Sequence, residues 1–352
     1  MPTENMNNTS NPWMQLVAMQ RKAFRKYQLI PLSIILVVGL LANAMVIYAG
    51  VKKSIREKYS TNIFILNLAV ADLGVLLYFI PIHITEYTVG LDVSDWTCKY
   101  IIPIRETFLI VSIFSVAVLG MARFLQIHAS YVFSKRVTYL IIGATWLVAY
   151  LAISMPLSFV IRHTPAMTCD HFWNDEKMER VHIGILNTIQ FIPLLITTVC
   201  YLSIIRKVRN LNCEYNDSRN EPANNSRERS TLMLTLIIAA WWSLAPFLVY
   251  SLLVILKVTV EFTLKLKLWC AVAVFLTSSS AINPVLVLLM NRNYRKEVCC
   301  TSNKELATSA VRTQTSRISG KARDTRGFLG THYFIRLLSN VVHCLKQSLH
   351  TY

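Results

Sequence analysis

One long apolar stretch of this chain carries ionisable side chains near both of its ends. It begins at Cys98 and ends at Gln126, with Arg105 and Glu106 in its first part and Arg123 near its end. The stretch exceeds the about 20 apolar residues that cross a bilayer as a helix. A charged side chain that faces lipid costs about 2.5 kcal/mol or more. These residues therefore predict a central helix that faces a protein interior or water.

The pair Arg105 and Glu106 allows two kinds of chemistry. The guanidinium group of Arg105 can bind the carboxylate of a ligand through paired hydrogen bonds. It can equally form an intramolecular ion pair with Glu106, with Glu86 or with an outer loop, and the sequence leaves both interpretations open. The candidate ligand pocket consists of this pair together with Trp173 and Trp269.

The composition is that of a membrane protein. Of the 352 residues, 54% are hydrophobic and 16% are charged, whereas soluble domains have about 45–50% and about 25%. The net charge is +17, but the basic residues lie mostly between apolar runs and in the tail, so nucleic-acid binding is not expected. No CxxC spacing, phosphate loop or nucleophile–base set occurs, so the chain is expected to be a non-enzyme without an organic cofactor.

Apolar runs recur along the chain, and each is long enough to span a bilayer. They predict an all-α membrane protein, a bundle of seven transmembrane helices over residues 27–290, after an N-terminal segment of residues 1–26. The runs lie near residues 27–51, 62–89, 98–127, 137–161, 182–206, 230–256 and 268–290.

The charges of the links predict the orientation. Basic residues concentrate in the first and third inner links and in the tail. In the outer link 90–97, by contrast, all the charged residues are acidic. Basic groups within residues 21–26 and 257–267 oppose this pattern. Because cytoplasmic loops are rich in Lys and Arg, the balance predicts a plasma-membrane protein with an extracellular N-terminus. Asn7 and Asn8 begin N-glycosylation sequons in that outer segment.

Short motifs in these runs resemble those of rhodopsin-like (class A) G-protein-coupled receptors, and in particular of the peptide-receptor branch. The second run contains NLAVADL with Asp72. Trp96 lies shortly before Cys98, and Arg123 follows Cys98 at the spacing that separates the bridging cysteine from the inner arginine in that family. The order and spacing of the motifs carry the resemblance, which covers roughly residues 27–300. The other matching residues are Asn43, Trp146, Pro156, Pro193, Tyr201, Pro246, Asn283 and Pro284.

The chain departs from the family's motifs at three places. The inner triplet Asp-Arg-Tyr is Ala-Arg-Phe at residues 122–124. The sixth-run motif CWxP is Ser-Leu-Ala-Pro at residues 243–246, and NPxxY ends in Val287. These changes concern the switching mechanism and not the fold.

The resemblance implies a sodium site or polar network around Asp72. In the family, residues at the positions of Ser112 and Asn283 help the acid to hold a sodium ion, and Ser280 lies nearby. Oxygen ligands suit such a hard cation. The alternative is a protonated Asp72 within a polar network, because a lone carboxyl group in hydrocarbon protonates or finds a partner.

The resemblance also implies a disulfide and a switch. Cys98 and Cys169 correspond to the family's bridging cysteines on the oxidising side, with free thiols as the alternative. Arg123 would meet the G protein, and the missing acid at Ala122 would favour active forms. The missing tyrosine at Val287 would act in the opposite direction, and the sequence does not rank the two effects. The remaining switch residues are Tyr201, Pro246 and Pro284.

The end of the chain carries further expectations. Residues 291–300 predict a short amphipathic eighth helix, in which Cys299 and Cys300 are palmitoylated or remain free thiols. Residues 301–352 form a cytoplasmic tail whose Ser/Thr-rich part would bind arrestin.

Two functions compete at this point. The first is a receptor that binds an extracellular ligand, a neuropeptide or another peptide, and activates a heterotrimeric G protein. The second is a receptor-like scavenger or trafficking protein of the same fold that does not signal. A transporter is less favoured, because the sequence lacks broken-helix repeats and a chain of intramembrane acids.

Overall fold

A computed structural model describes residues 12–56, 61–88, 95–157, 161–163, 169–171, 176–216, 224–258, 262–290 and 294. These residues form helices and one antiparallel pair of short strands, β1 (Ile161–His163) and β2 (Cys169–His171). Residues Met1–Leu286 form one compact unit, and a second unit, Val287–Tyr352, begins within the last turn of the last helix. The helices are α1 (Pro12–Tyr27), α2 (Leu29–Arg56), α3 (Thr61–Gly74), α4 (Ile80–Thr88), α5 (Asp95–His128), α6 (Lys135–Leu147), α7 (Met155–Leu157), α8 (Glu176–Asn216), α9 (Asn224–Ile255) and α10 (Phe262–Met290).

Within the described residues, six helical segments are long and apolar enough to cross a membrane. The fourth predicted run, residues 137–161, forms α6, a π-helical stretch at Val148–Ser154, and α7 in direct succession. Together these seven segments correspond to the seven apolar runs, so the expected all-α membrane fold is confirmed. The six segments are Leu29–Lys52, Thr61–Thr85, Pro103–His128, Arg180–Asn210, Ile237–Ile255 and Lys267–Leu289.

Two π-helical stretches interrupt the regular winding, one at Val75–Phe79 and one at Val148–Ser154. A proline follows each of them closely, at Pro81 and Pro156. A proline ring cannot donate to the carbonyl four residues earlier and clashes with it. That carbonyl lies inside the π-helical stretch in both cases, so the wider winding has a local cause.

Helix α5 is the centre of the bundle, as its sequence predicted. It packs against α3, α6, α8, both π-helical stretches and both strands. Its side chains Leu109 and Val111 are buried, whereas apolar side chains on the outer faces of other helices are not, such as Leu140 at 72% exposure. Exposed apolar faces of this extent suit hydrocarbon rather than water.

The N-terminal segment contains a helix that the sequence analysis did not predict. It was treated as polar, but Pro12–Tyr27 is helical and Phe24 is fully buried. The Phe24 ring meets the His83 ring edge-on at 5.6 Å, and α1 packs against α2 and α4. Of the two basic groups that opposed the predicted orientation, the one within residues 21–26 therefore lies on this added helix, where Lys22 and Lys26 are exposed.

Candidate functional site

At the outer part of α5, Arg105 is buried and already paired. Its exposed fraction is 8%, and its Nη2 lies 3.0 Å from Oε1 of Glu106. The guanidinium carbon also lies 4.8 Å from the centre of the Phe79 ring, which attracts a cation. The intramolecular ion pair is thus present, and a ligand carboxylate would have to share Arg105 with Glu106.

A polar cluster next to this pair joins three parts of the bundle. Nε2 of Gln28, between α1 and α2, donates to the carbonyl of Cys270 on α10 over 2.9 Å. Nε2 of His83 on α4 lies 3.2 Å from Oε1 of Gln28, and the Phe79 ring packs on the His83 ring at 5.7 Å. The sequence analysis did not predict this cluster. Gln28 and His83 are polar residues within apolar runs, and that placement could have indicated that they bond to each other inside the bundle.

The remaining pocket residues are not brought to Arg105 by any described contact. Trp269 on α10 packs instead on Tyr250 of α9, with ring centres 5.3 Å apart. Trp173 lies outside the described residues. The predicted ligand pocket therefore stays a prediction, and at Arg105 and Glu106 the structure shows the alternative, an intramolecular ion pair.

In the middle of the bundle, Asp72 is fully buried and its two oxygens differ. Oδ1 accepts a hydrogen bond from Ser112 Oγ over 2.6 Å, whereas Oδ2 has no hydrogen-bond partner. Ser280 and Asn283 on α10 lie close to the same carboxyl group, although Ser280 Oγ makes no hydrogen bond to it. The structure thus gathers the four residues that the sequence predicted for this site.

The oxygens around Asp72 fit a small cation. Besides Asp72 Oδ2, the buried Ser280 Oγ and Asn43 Oδ1 lack hydrogen-bond partners. Nδ2 of Asn43 is occupied, because it donates to the carbonyls of Gly39 and Ser280, both at 2.9 Å. An all-oxygen set with unused lone pairs suits sodium, which would supply the positive charge that a buried carboxylate needs.

At the inner end of α5, Arg123 is half-buried and its acidic neighbour is missing. Among the described residues, no carboxylate lies within ion-pair distance of its guanidinium group. Arg123 interacts electrostatically with Tyr201 of α8, which is buried at 1% exposure. Ala122 is also buried and has no polar atom to replace the acid.

The two switch prolines lie inside long helices, Pro246 in α9 and Pro284 in α10. Each removes one N–H from its helix and so creates a point where the helix bends easily. Leu244, which stands where the resemblance expects tryptophan, is buried at 4% exposure.

Cys98 and Cys169 lie on two elements that pack against each other, as the predicted disulfide would need. Cys98 is in the first turn of α5, and Cys169 begins β2, a strand that packs against α5. Their side chains are outside the described part of the structure, so the disulfide stays a prediction.

Peptide mass mapping of surface-expressed protein without reduction is expected to recover Cys98 and Cys169 as one cross-linked species. A disulfide that closes a loop of this length contributes about 4 kcal/mol in the chain-entropy description. Cys98→Ser is therefore expected to reduce the amount of folded receptor at the surface, and Cys270→Ser is the matched control. Recovery of both residues as free thiols would overturn the assignment.

Other predicted features fall on residues that the structure does not describe. They include the sequons at Asn7 and Asn8, the cysteines Cys299 and Cys300, and the tail 301–352. Of the predicted eighth helix, residues 291–300, only Tyr294 is described, and it is helical.

A bundle of long apolar helices with buried charges at both ends defines a multi-pass membrane protein. Residues 42–286 match the sequence profile of the family described as "7 transmembrane receptor (rhodopsin family)". The chain belongs to this family, which is one of receptors and not of enzymes.

Similarity to individual receptors extends over most of the chain. The human galanin receptor type 1 is 25% identical over 294 residues, which cover 76% of this chain and 79% of that receptor. The rat somatostatin receptor type 5 is 27% identical over 283 residues, with 76% of each chain covered. The rat galanin receptor type 1 is 24% identical over 286 residues, which cover 76% of this chain and 80% of the receptor.

Proposed function

We propose that this protein is a plasma-membrane receptor with an extracellular N-terminus that binds an extracellular peptide and activates a heterotrimeric G protein. Galanin and somatostatin, after which the similar receptors are named, are both peptides. Similarity over about three quarters of the chain at 24–27% identity supports the class of ligand rather than a particular one.

The outer site supports a ligand that carries a carboxylate. Arg105 is the buried cation there, and Glu106 on the same helix accepts hydrogen bonds from its Nε and Nη2. A guanidinium group has five N–H donors in a planar fork, so a ligand carboxylate can compete with Glu106 for Arg105 while the Phe79 ring packs against the guanidinium group. A peptide with an acidic side chain or a free C-terminus meets this requirement.

The inner site supports G-protein activation, and one observation carries this part of the proposal. Arg123 is half-buried at the inner end of the central helix, and within the described residues no carboxylate holds it. An arginine that is only half-buried and that no described carboxylate holds remains available to a partner from the cytoplasm.

A collection of synthetic neuropeptides, including galanin and somatostatin, provides the test of ligand class. Cells that express the receptor are expected to recruit a reporter G protein in response to at least one carboxylate-bearing peptide. Amidation of that carboxylate, or Arg105→Gln in the receptor, is expected to weaken the response by about tenfold or more, because buried charge-assisted bonds contribute about 1.5–3 kcal/mol. An equal response of the amidated peptide would refute the role of Arg105.

Sodium is expected to stabilise the wild-type receptor and not Asp72→Asn. Ligand binding to the folded state stabilises it by about 1.4 kcal/mol at ten times the dissociation constant. The measurement is the melting temperature of purified receptor in sodium chloride against choline chloride at equal ionic strength. Ser279→Ala is the control, because its hydroxyl donates to the carbonyl of Leu276 instead of to Asp72. The same sodium effect in Asp72→Asn would exclude this site and favour a protonated Asp72.

The non-signalling alternative is favoured by the three altered motifs, which are Ala-Arg-Phe at residues 122–124, Ser-Leu-Ala-Pro at residues 243–246, and Val287 at the end of NPxxY. A scavenger or trafficking protein would bind the same peptides and internalise without G-protein recruitment. Uptake of a labelled peptide together with no recruitment of any G protein would favour that function.

A further inference from the structure

Two side-chain hydrogen bonds join α8 to α9 across the bundle. Nε1 of Trp241 donates to Oγ1 of Thr198 over 3.1 Å. Closer to the outer side, Oγ of Ser251 donates to Oδ1 of Asn187 over 3.0 Å. All four side chains are buried or half-buried. Thr198 Oγ1 also donates to the carbonyl of Leu194 and Ser251 Oγ to that of Leu248, so the Trp241 N–H is the group that loses its acceptor when the inner bond breaks.

Each of the two helices contains a proline between these bonds. Pro193 lies in α8 and Pro246 lies in α9. Since proline donates no hydrogen bond within its helix, both helices are weakest in the same layer of the bundle. The α8–α9 pair is thus divided into an outer half and an inner half, and one of these two side-chain hydrogen bonds lies in each half.

Trp241 also links two separate apolar clusters. The outer cluster includes Leu194 and Leu244, and the inner cluster includes Tyr201 and Ile237. Among the described residues of the two clusters, Trp241 is the side chain that packs against both. Its position makes it the contact through which a shift in the outer cluster reaches the inner one.

The neighbouring tryptophan has a different environment. Trp242 is 57% exposed on the outer face of α9, and its ring packs on Phe275 of α10 with centres 5.0 Å apart. A comparison of the same substitution at Trp241 and at Trp242 therefore distinguishes an effect at the α8–α9 contact from the general effect of replacing a tryptophan on α9.

We propose that the hydrogen bond between Trp241 and Thr198 is a latch that holds the inner half of α9 against α8. This hydrogen bond breaks when the receptor changes state, whereas the bond between Ser251 and Asn187 stays intact. The inner half of α9 then moves away from α8 while the outer half keeps its position. Leu244 has no polar atom and cannot make such a bond, so Trp241 is the positioning residue of the switch. This inference rests on the proposed function for its purpose, since a receptor needs an inner end that opens.

A cysteine reporter measures the latch directly. Ile237 is 7% exposed, lies one helical turn from Trp241 on the same face, and packs against Tyr201 and Ile204 of α8. The rate at which N-ethylmaleimide alkylates an Ile237→Cys receptor in lipid nanodiscs, followed by peptide mass spectrometry, reports how often the inner half opens. No ligand or G protein is present.

Trp241→Phe keeps an aromatic ring and removes the N–H, and Thr198→Val keeps the side-chain shape and removes the acceptor. Each is expected to raise the alkylation rate about threefold. This is the change in the opening equilibrium that corresponds to the free energy of a typical hydrogen bond between membrane helices. The double variant is expected to show no further rise, because both changes remove the same bond.

Two controls make the result decisive. Trp242→Phe is expected to leave the rate unchanged, and the native Cys270, buried at 4% exposure, is expected to react slowly in every variant. An unchanged rate in Trp241→Phe, or an equal rise in Trp242→Phe or at Cys270, would overturn the latch. Labelling requires no G protein, so the two proposals can fail separately. If the variants raise the alkylation rate as expected but the receptor stimulates no nucleotide exchange, the proposed function is rejected and the latch is retained.

Discussion

Arg123→Ala is expected to reduce G-protein nucleotide exchange by at least about tenfold at equal surface expression, which corresponds to a free-energy change of about 1.4 kcal/mol. Arg123 is half-buried beside the buried Tyr201, and no described carboxylate competes for it. Its removal deletes the permanent cation at the inner end of the central helix.

The measurement is guanine-nucleotide binding in membranes that contain matched amounts of receptor. Arg136→Ala is the control, because Arg136 is an exposed basic residue near the beginning of α6 at the same end of the bundle. Full exchange in Arg123→Ala would remove this residue from the mechanism. An equal loss in Arg136→Ala would show that total positive charge matters rather than this position.

The reverse substitution restores the missing acid. Ala122→Asp is expected to lower ligand-free exchange by about fivefold, because an ion pair at a partly exposed helix end contributes up to about 1 kcal/mol. Ala122→Asn has nearly the same shape without the charge, so it separates electrostatics from packing. Equal exchange in wild type, Ala122→Asp and Ala122→Asn would show that another contact holds Arg123, with the undescribed side chain of Glu228 as the first candidate.

Gly74→Ala is expected to have the largest effect on stability. A Cβ atom at Gly74 would overlap the ring of Phe108, and that ring is held between Tyr78 at 6.1 Å and Trp146 at 5.7 Å. Overpacking of this kind costs about 1–3 kcal/mol. The expected result is a lower melting temperature and less receptor at the cell surface.

Gly143 offers the matched control for this prediction. Both glycines are helical, but a Cβ atom at Gly143 would meet no heavy atom within 4 Å. Gly143→Ala is therefore expected to be neutral or to stabilise the helix by about 0.5–1 kcal/mol. If both variants lose stability equally, the close contact with Phe108 is not the cause.

Much of the architecture follows from patterns that are local in the sequence. Apolar runs of bilayer length predicted the membrane helices, because every backbone polar group in hydrocarbon must be paired within a helix. The ionisable residues of the run from Cys98 to Gln126 predicted that α5 would be central. The grouping of Asp72 with Ser112, Ser280 and Asn283 came from motif resemblance, and the structure brings these residues together.

Features that depend on distant partners could not be predicted in the same way. Gln28 bonds the carbonyl of Cys270, a partner far along the chain, and no local pattern specifies that pairing. Helix α1 was not predicted because its many basic residues made the segment polar on average and hid the helical spacing of its apolar residues. One of these apolar residues, Phe24, is buried. Trp241 lies just before the altered sixth-run motif, but only the packing of α8 shows that its N–H meets Thr198.

Nucleotide exchange by the purified receptor in lipid nanodiscs, without ligand and against a panel of heterotrimeric G proteins, tests the central claim most directly. A receptor whose inner arginine lacks the family's acidic neighbour, as Arg123 does beside Ala122, is expected to accelerate exchange on at least one G protein above the level of empty nanodiscs. Ala122→Asp is expected to lower that rate, and Arg123→Ala is expected to remove it. No acceleration on any member of the panel, with folded receptor verified by its melting transition, would contradict the account.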